Sequence, residues 1–129
     1  VRQRRGVRGS EYAWANSLRL QALAAAEGIA YRHHPELAPT TALRQLQYAE
    51  DDRAGVGKRS RERLADSYIE RYMREILDRA DLDAFVAALA PSGSSALMCV
   101  ERDAAACHRS LIAGRIHARY GIEVVNLPA

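Results

Sequence analysis

The sequence predicts an α/β domain: a small, predominantly parallel sheet with surrounding helices and Rossmann-like layering. Three observations predict it. The run Ser95-Ala-Leu-Met-Cys-Val100 is continuously apolar near its centre, as suits a central parallel strand. Ile29-Ala-Tyr-Arg-His-His34 and Ile122-Glu-Val-Val-Asn-Leu127 also have strand composition. Segments with helical periodicity separate these runs, and the connections are long enough for right-handed parallel crossovers. Three strands make only a small sheet. The expectation is therefore either a compact three-layer domain or a fold that lacks an opening strand-helix-strand unit.

The 129 residues fit one domain, 1–129, and a hydrophobic content of 48% is enough for a core. No apolar run approaches a membrane span, and no signal-peptide pattern precedes the basic start. Two cysteines are too few for a disulfide framework. The expected location is cytoplasmic, with no membrane partner. A formal charge of +3 favours anionic partners only mildly.

Taken in order, Val1 to Gly9 carries four arginines bordered by glycines. It reads either as a frayed basic terminus or as an anion loop in which guanidiniums and backbone amides meet a phosphate. Asn16 or Ser17 is the expected cap of a first helix, with Leu20, Leu23 and Ala24 on its apolar face and Gly28 at its end. Pro35 stops the Ile29 strand. Pro39 and Thr40 introduce a helix with Leu43, Leu46 and Gln47 on one side. The stretch from Arg53 to Arg63 is a basic linker, read as a solvated loop or a polyanion patch.

Ser60 is the expected cap of the longest helix. Leu64, Tyr68, Tyr72 and Ile76 recur at helical spacing there, beside the row Ile69, Met73 and Leu77. Core packing explains Tyr68 and Tyr72 better than base stacking does. Asp81 caps a shorter helix through Phe85, Val86 and Leu89. After Val100, Asp103 is the expected cap of a last helix, placing Cys107 at about its fourth position. Gly121 ends that helix.

The chemistry concentrates between Cys99 and Ser110. At the C-terminal edge of a parallel sheet, His33, His34 and Glu36 would approach Glu101, Arg102 and the Cys107 helix. Arg109 opposes the dipole of that helix unless it faces an anion. Cys107 is the candidate nucleophile, with His34 as base and Glu36 beside it. Arg5, Arg8, Arg102, Arg109 and His108 are the candidate anion ligands, and amides near Ala106 to His108 complete the cradle. Glu101 is a structural or pairing residue. An internal salt-bridge cluster with Glu36 and Glu101 would use the same residue types without a ligand. Cys99 reads as a quiet core thiol. No metal or cofactor is expected: Cys99, Cys107 and His108 lack a clean zinc spacing and would need an outside ligand.

The motif Cys99-Val-Glu-Arg-Asp-Ala-Ala-Ala-Cys107-His-Arg-Ser110 resembles the signature of the domain of unknown function 488 family. So do Arg4-Arg-Gly-Val-Arg-Gly-Ser-Glu-Tyr-Ala13, the Asn16-Ser17 helix start and Tyr31-Arg-His-His-Pro-Glu-Leu37. The resemblance covers nearly the whole chain. It implies a small α/β domain with Arg5, Arg8, His34, Glu36, Glu101, Arg102, Cys107, His108 and Arg109 at the family's recurring polar positions. It implies no particular activity. The family's domain typically opens with a strand, a helix and a second strand ending in Asp-Val-Arg. Val1-Arg2 matches the end of that second strand, so the opening unit is expected to be missing. A homo-oligomer would then protect the exposed sheet edge.

The functional expectation is an anion-binding domain, acting as an enzyme on a phosphate-bearing small molecule or nucleic acid through Cys107 and His34. A non-catalytic nucleic-acid-binding module and a structural interaction domain are the alternatives.

Overall fold

The computed structural model describes residues 15, 17–57, 60–89, 93–99, 101 and 103–127. Its elements are helices: α1 (Ser17–Ala26), a 3-10 turn (Pro35–Leu37), α2 (Thr41–Arg53), α3 (Asp66–Tyr72) continued by a π-helical stretch (Met73–Leu77), α4 (Leu82–Ala87) and α5 (His108–Tyr120).

The local signals for most of these elements work as the sequence suggests. Thr40 caps α2, its hydroxyl accepting from the Leu43 amide at 3.2 Å. Asp81 caps α4 through the Ala84 amide at 2.9 Å. Gly121 closes α5 at φ 67°, in the left-handed region that glycine enters without steric cost. Two caps differ. Ser60 donates to the Gly57 carbonyl instead of capping α3, which begins after Ala65. Asp103 lies in a turn before α5, and Cys107 is the N-cap rather than an interior residue.

The core gathers Leu37, Leu43, Leu64, Tyr68, Tyr72, Leu77, Leu82, Phe85, Ile112 and Ile116. Helix α2 packs on α3, α3 packs on α5, and the 3-10 turn packs on the π-helical stretch. Tyr68 and Tyr72 are buried and stack at 5.9 Å, as the one-face periodicity predicts. The Tyr72 hydroxyl donates to the Leu37 carbonyl at 2.6 Å and ties the 3-10 turn to the core. The π-helical stretch follows directly, with the Asp78 amide reaching back to the Met73 carbonyl at 2.8 Å. At the surface, Arg115 pairs with Asp78 in the turn before α4 and Arg119 with Asp83 in the first turn of α4, orienting α5 against this segment.

The expected parallel sheet is overturned: among the described residues there is no strand. The segments 29–34, 95–99 and 122–127 run as irregular chain. Strand composition alone does not make a strand; neighbouring chains must exchange N–H and C=O in a ladder. Here the Ile29 amide instead donates to Ala24 at the end of α1. Ile29 and Val125 remain 61% and 70% exposed, while Leu97 and Ile122 lie against a core built by helices. The edge-strand argument for a homo-oligomer falls with the sheet. On the expected apolar face of α1, Leu20 and Ala24 are half-buried, whereas Leu23 is exposed. No helix among the described residues is long and apolar enough to cross a membrane.

Tyr72→Phe leaves the buried Leu37 carbonyl without its donor. It is expected to lower unfolding free energy by about 1–3 kcal/mol, read as a lower urea midpoint with an unchanged slope.

Candidate functional site

The start of α5 is held in place by a buried polar relay. Leu43, Gln47 and Asp51 recur at helical spacing on the inner face of α2, so that face carries two polar groups into the interior. The Gln47 side-chain oxygen accepts from the Ala65 amide at 2.9 Å, supplying the start of α3 with the partner its own N-cap lacks. The Gln47 amide donates to Asp51 at 2.7 Å. The other Asp51 oxygen accepts from Arg61 at 2.7 Å, and both side chains are buried. Arg61 also donates to the Ala106 carbonyl at 3.2 Å and lies 3.9 Å from Glu101. The Leu64 amide bonds to the Ala105 carbonyl nearby. The loop 103–107 is thereby attached to α2 and to the segment before α3.

Three chemically active groups converge on that loop. Cys107 is 1% exposed, and its sulfur lies 3.6 Å from His108 Nδ1. Side chains of adjacent residues diverge by about 100° within a helix. These two straddle the junction between extended chain (Cys107 φ −134°, ψ 143°) and the first turn of α5, which allows them to meet. One donor atom each from Cys99, Cys107 and His108 falls within 4.8 Å of the others. The His108 ring also lies 5.6 Å from that of Tyr72, and its Nε2 is buried without a hydrogen-bond partner.

The electrostatics favour neutral groups. A hydrogen bond with Cys99, and then burial, push the Cys107 thiol well above the usual range; the Arg109 amide and guanidinium oppose this and lose. Burial, reinforced by the Arg109 charge, pulls His108 down to about 4. Burial raises Tyr68 and Tyr72 as well, so neither phenol is a ready base. Cys107 is thus a protonated thiol in this arrangement rather than the activated thiolate that a helix start and nearby arginines suggest.

His34 and Glu36 form a separate pair. His34 Nδ1 lies 2.7 Å from Glu36, and the ring sits edge-on to Phe85 at 4.7 Å. Burial opposes ionisation of Glu36, yet the His34 bond and its charge prevail and hold the carboxyl below its ordinary value. Tyr72 spans from this turn, through Leu37, to the His108 ring. The structure therefore brings Cys107 together with Cys99 and His108 rather than with His34.

The Ala106 amide donates to Asp103 and the Cys107 amide to Ala104, so these two parts of the expected anion cradle are engaged internally. Arg109 occupies the first turn of α5 and is half-buried. Glu101 lies 3.9 Å from the Arg61 guanidinium, an arginine that the sequence reading did not name as its partner. Arg5, Arg8 and Arg102 lie outside the described residues. In the basic linker, Arg53 pairs with Glu50, Arg61 with Asp51 and Arg63 with Asp66, which reduces its charge as a polyanion patch. A separate groove of about 280 Å³ lies between α5 and residues 123–126, but Glu123 in its wall disfavours an anion.

Sequence reasoning missed Arg61 as a positioning residue and Cys99 as part of the site. The available signal for Arg61 was Asp51 on the buried face of α2, an acid that requires a partner. Removing one member of the pair, as in Arg61→Met, is expected to cost about 3–5 kcal/mol; Asp51→Leu combined with Arg61→Met should recover much of it. A double-mutant cycle by urea denaturation reads this coupling. In the reduced, metal-free protein, Cys99 should alkylate faster than Cys107 between neutral and mildly alkaline pH, because Cys99 is half-buried and Cys107 is enclosed and protonated. Peptide-resolved labelling rates check the order.

No curated protein and no solved structure shows a match to the chain. A family described as "Domain of unknown function DUF488" matches residues 5–116, well over half of the sequence and including the whole Cys99–Ser110 motif. The chain belongs to the DUF488 family.

Proposed function

We propose that the domain recognises a phosphate-bearing small molecule at the start of α5, with Cys107 and His108 as the adjacent chemical groups. The observation carrying this reading is the composition of that helix start. Its first turn contains no acid, its N-cap side chain makes no capping bond, and Arg109 lies there against the usual dipole preference. A guanidinium at this position gains from an anionic partner that the helix end also favours. Arg5, Arg8 and Arg102 are further cationic candidates from the sequence.

Because Ala106 and Cys107 use their amides internally, recognition would depend more on guanidinium groups than on a backbone cradle. Chemistry at Cys107 would require its proton to leave the bond with Cys99, and His108 is the nearer imidazole for accepting it. His34 is engaged by Glu36 and Phe85, so it is the weaker candidate base. The ion pairs in the Arg53–Arg63 linker favour a small anion over an extended nucleic acid.

Titration of the wild type with inorganic phosphate and with mononucleotides should show saturable binding by calorimetry. Arg109→Ala should weaken it by about tenfold or more, the loss of a charge-assisted hydrogen bond worth about 1.5–3 kcal/mol. A wild type that binds none of these ligands, or a folded Arg109→Ala protein with undiminished affinity, overturns the reading.

A further inference from the structure

We propose that Cys99, Cys107 and His108 form a binding site for a thiophilic divalent metal ion of the zinc class, with three protein ligands and a fourth position open to solvent or an added ligand. The geometry is the first support. The three donor atoms lie within 4.8 Å of one another. A tetrahedral ion with bonds of about 2.3 Å to sulfur and about 2.1 Å to nitrogen separates its ligand atoms by about 3.6–3.8 Å. The Cys107 Sγ to His108 Nδ1 distance is 3.6 Å. No other pair in the set has to close by more than about 1.2 Å.

The second support is the imidazole. His108 is 7% exposed, and Nε2 has no hydrogen-bond partner. Such groups in protein interiors ordinarily have one. With the ring proton on Nε2, the neutral imidazole directs its Nδ1 lone pair towards the Cys107 sulfur.

The donor chemistry selects the ion. Two thiolates and an imidazole suit zinc-class ions and disfavour calcium or magnesium, which take oxygen. Binding forms two metal–sulfur bonds and one metal–nitrogen bond. It breaks two S–H bonds, releases two protons to the buffer and changes no oxidation state. Two thiolates cancel the charge of the ion, so the buried centre remains neutral, which limits its desolvation cost. Half-buried Cys99 marks the side from which an ion would enter, since Cys107 and His108 are enclosed. Arg61, held by Asp51, contacts Glu101 and the Ala106 carbonyl, bracing the loop between the two cysteines. That tertiary restraint lets widely spaced cysteines form a centre without a short zinc-finger spacing.

The inference stands apart from the phosphate reading, and its test contains no phosphate. The 129-residue chain, reduced and freed of metal with a chelator, is titrated with cobalt(II) under anaerobic conditions and then with zinc(II). One equivalent of cobalt should produce thiolate-to-metal charge-transfer absorption and intense tetrahedral d–d bands, and zinc should abolish both. Each ion bound should release two protons. Cys99→Ser should lose about half of the charge-transfer intensity and bind on the order of 100-fold more weakly. His108→Gln should keep the thiolate bands but bind comparably more weakly. Cys107→Ser places a hydroxyl in an enclosed site and can fail to fold, so the half-buried Cys99 position carries the test, with circular dichroism confirming the helices. A reduced wild type without thiolate-to-cobalt absorption at one equivalent overturns the proposal. So does a folded Cys99→Ser or His108→Gln protein with wild-type affinity and spectrum.

Discussion

The arrangement at the start of α5 depends on one buried ion pair, Arg61 with Asp51. The acid projects from the inner face of α2, and the guanidinium arrives from the segment before α3 and continues to the Ala106 carbonyl. Gln47 extends the relay to the Ala65 amide. A buried pair of this kind is a weak source of net stability, because desolvation cancels much of its Coulombic attraction. Its consequence is specificity: an alternative packing that separates the partners leaves a charge without solvent. The relay therefore selects the position of the loop 103–107, although apolar burial supplies the bulk of the stabilisation.

That position determines the character of the cysteine. A cysteine at a helix start beside an arginine would ordinarily be favoured as a thiolate. Cys107 is instead hydrogen-bonded with Cys99 and enclosed, and these effects outweigh the contribution from Arg109. His108 is kept neutral by the same enclosure. The result is a compact, uncharged set of soft donors beside a cationic residue. The proposed anion recognition and the proposed metal binding would make different demands on it: the former would use the charge and the helix end, the latter the lone pairs once the thiol protons leave.

The legible parts of the fold were those set by neighbours in sequence. Thr40 and Asp81 cap the helices they precede, and Gly121 occupies the left-handed end of α5. The spacing of Tyr68 and Tyr72 correctly identified a buried helix face. The strand assignments failed because composition at Ile29, Leu97 and Val124 describes compatibility with a ladder but supplies no partner for one. In the described structure, the apolar interior is closed by helix packing, while Ile29 and Val124 remain accessible.

The candidate site divides in the same way. Sequence spacing placed His108 and Arg109 in the early turns of a helix, because periodicity is a local property, and the resemblance of the Cys99–Ser110 motif pointed to the DUF488 family. Tertiary structure decided which groups meet. It paired His34 with Glu36, joined Cys107 to Cys99 and His108, and turned Arg61 from a member of a basic run into a buried brace. Those outcomes depend on burial and on contacts across long chain separations. The same arginine can be solvated or buried, and the same thiol ionised or protonated, until packing determines its dielectric surroundings and its partner.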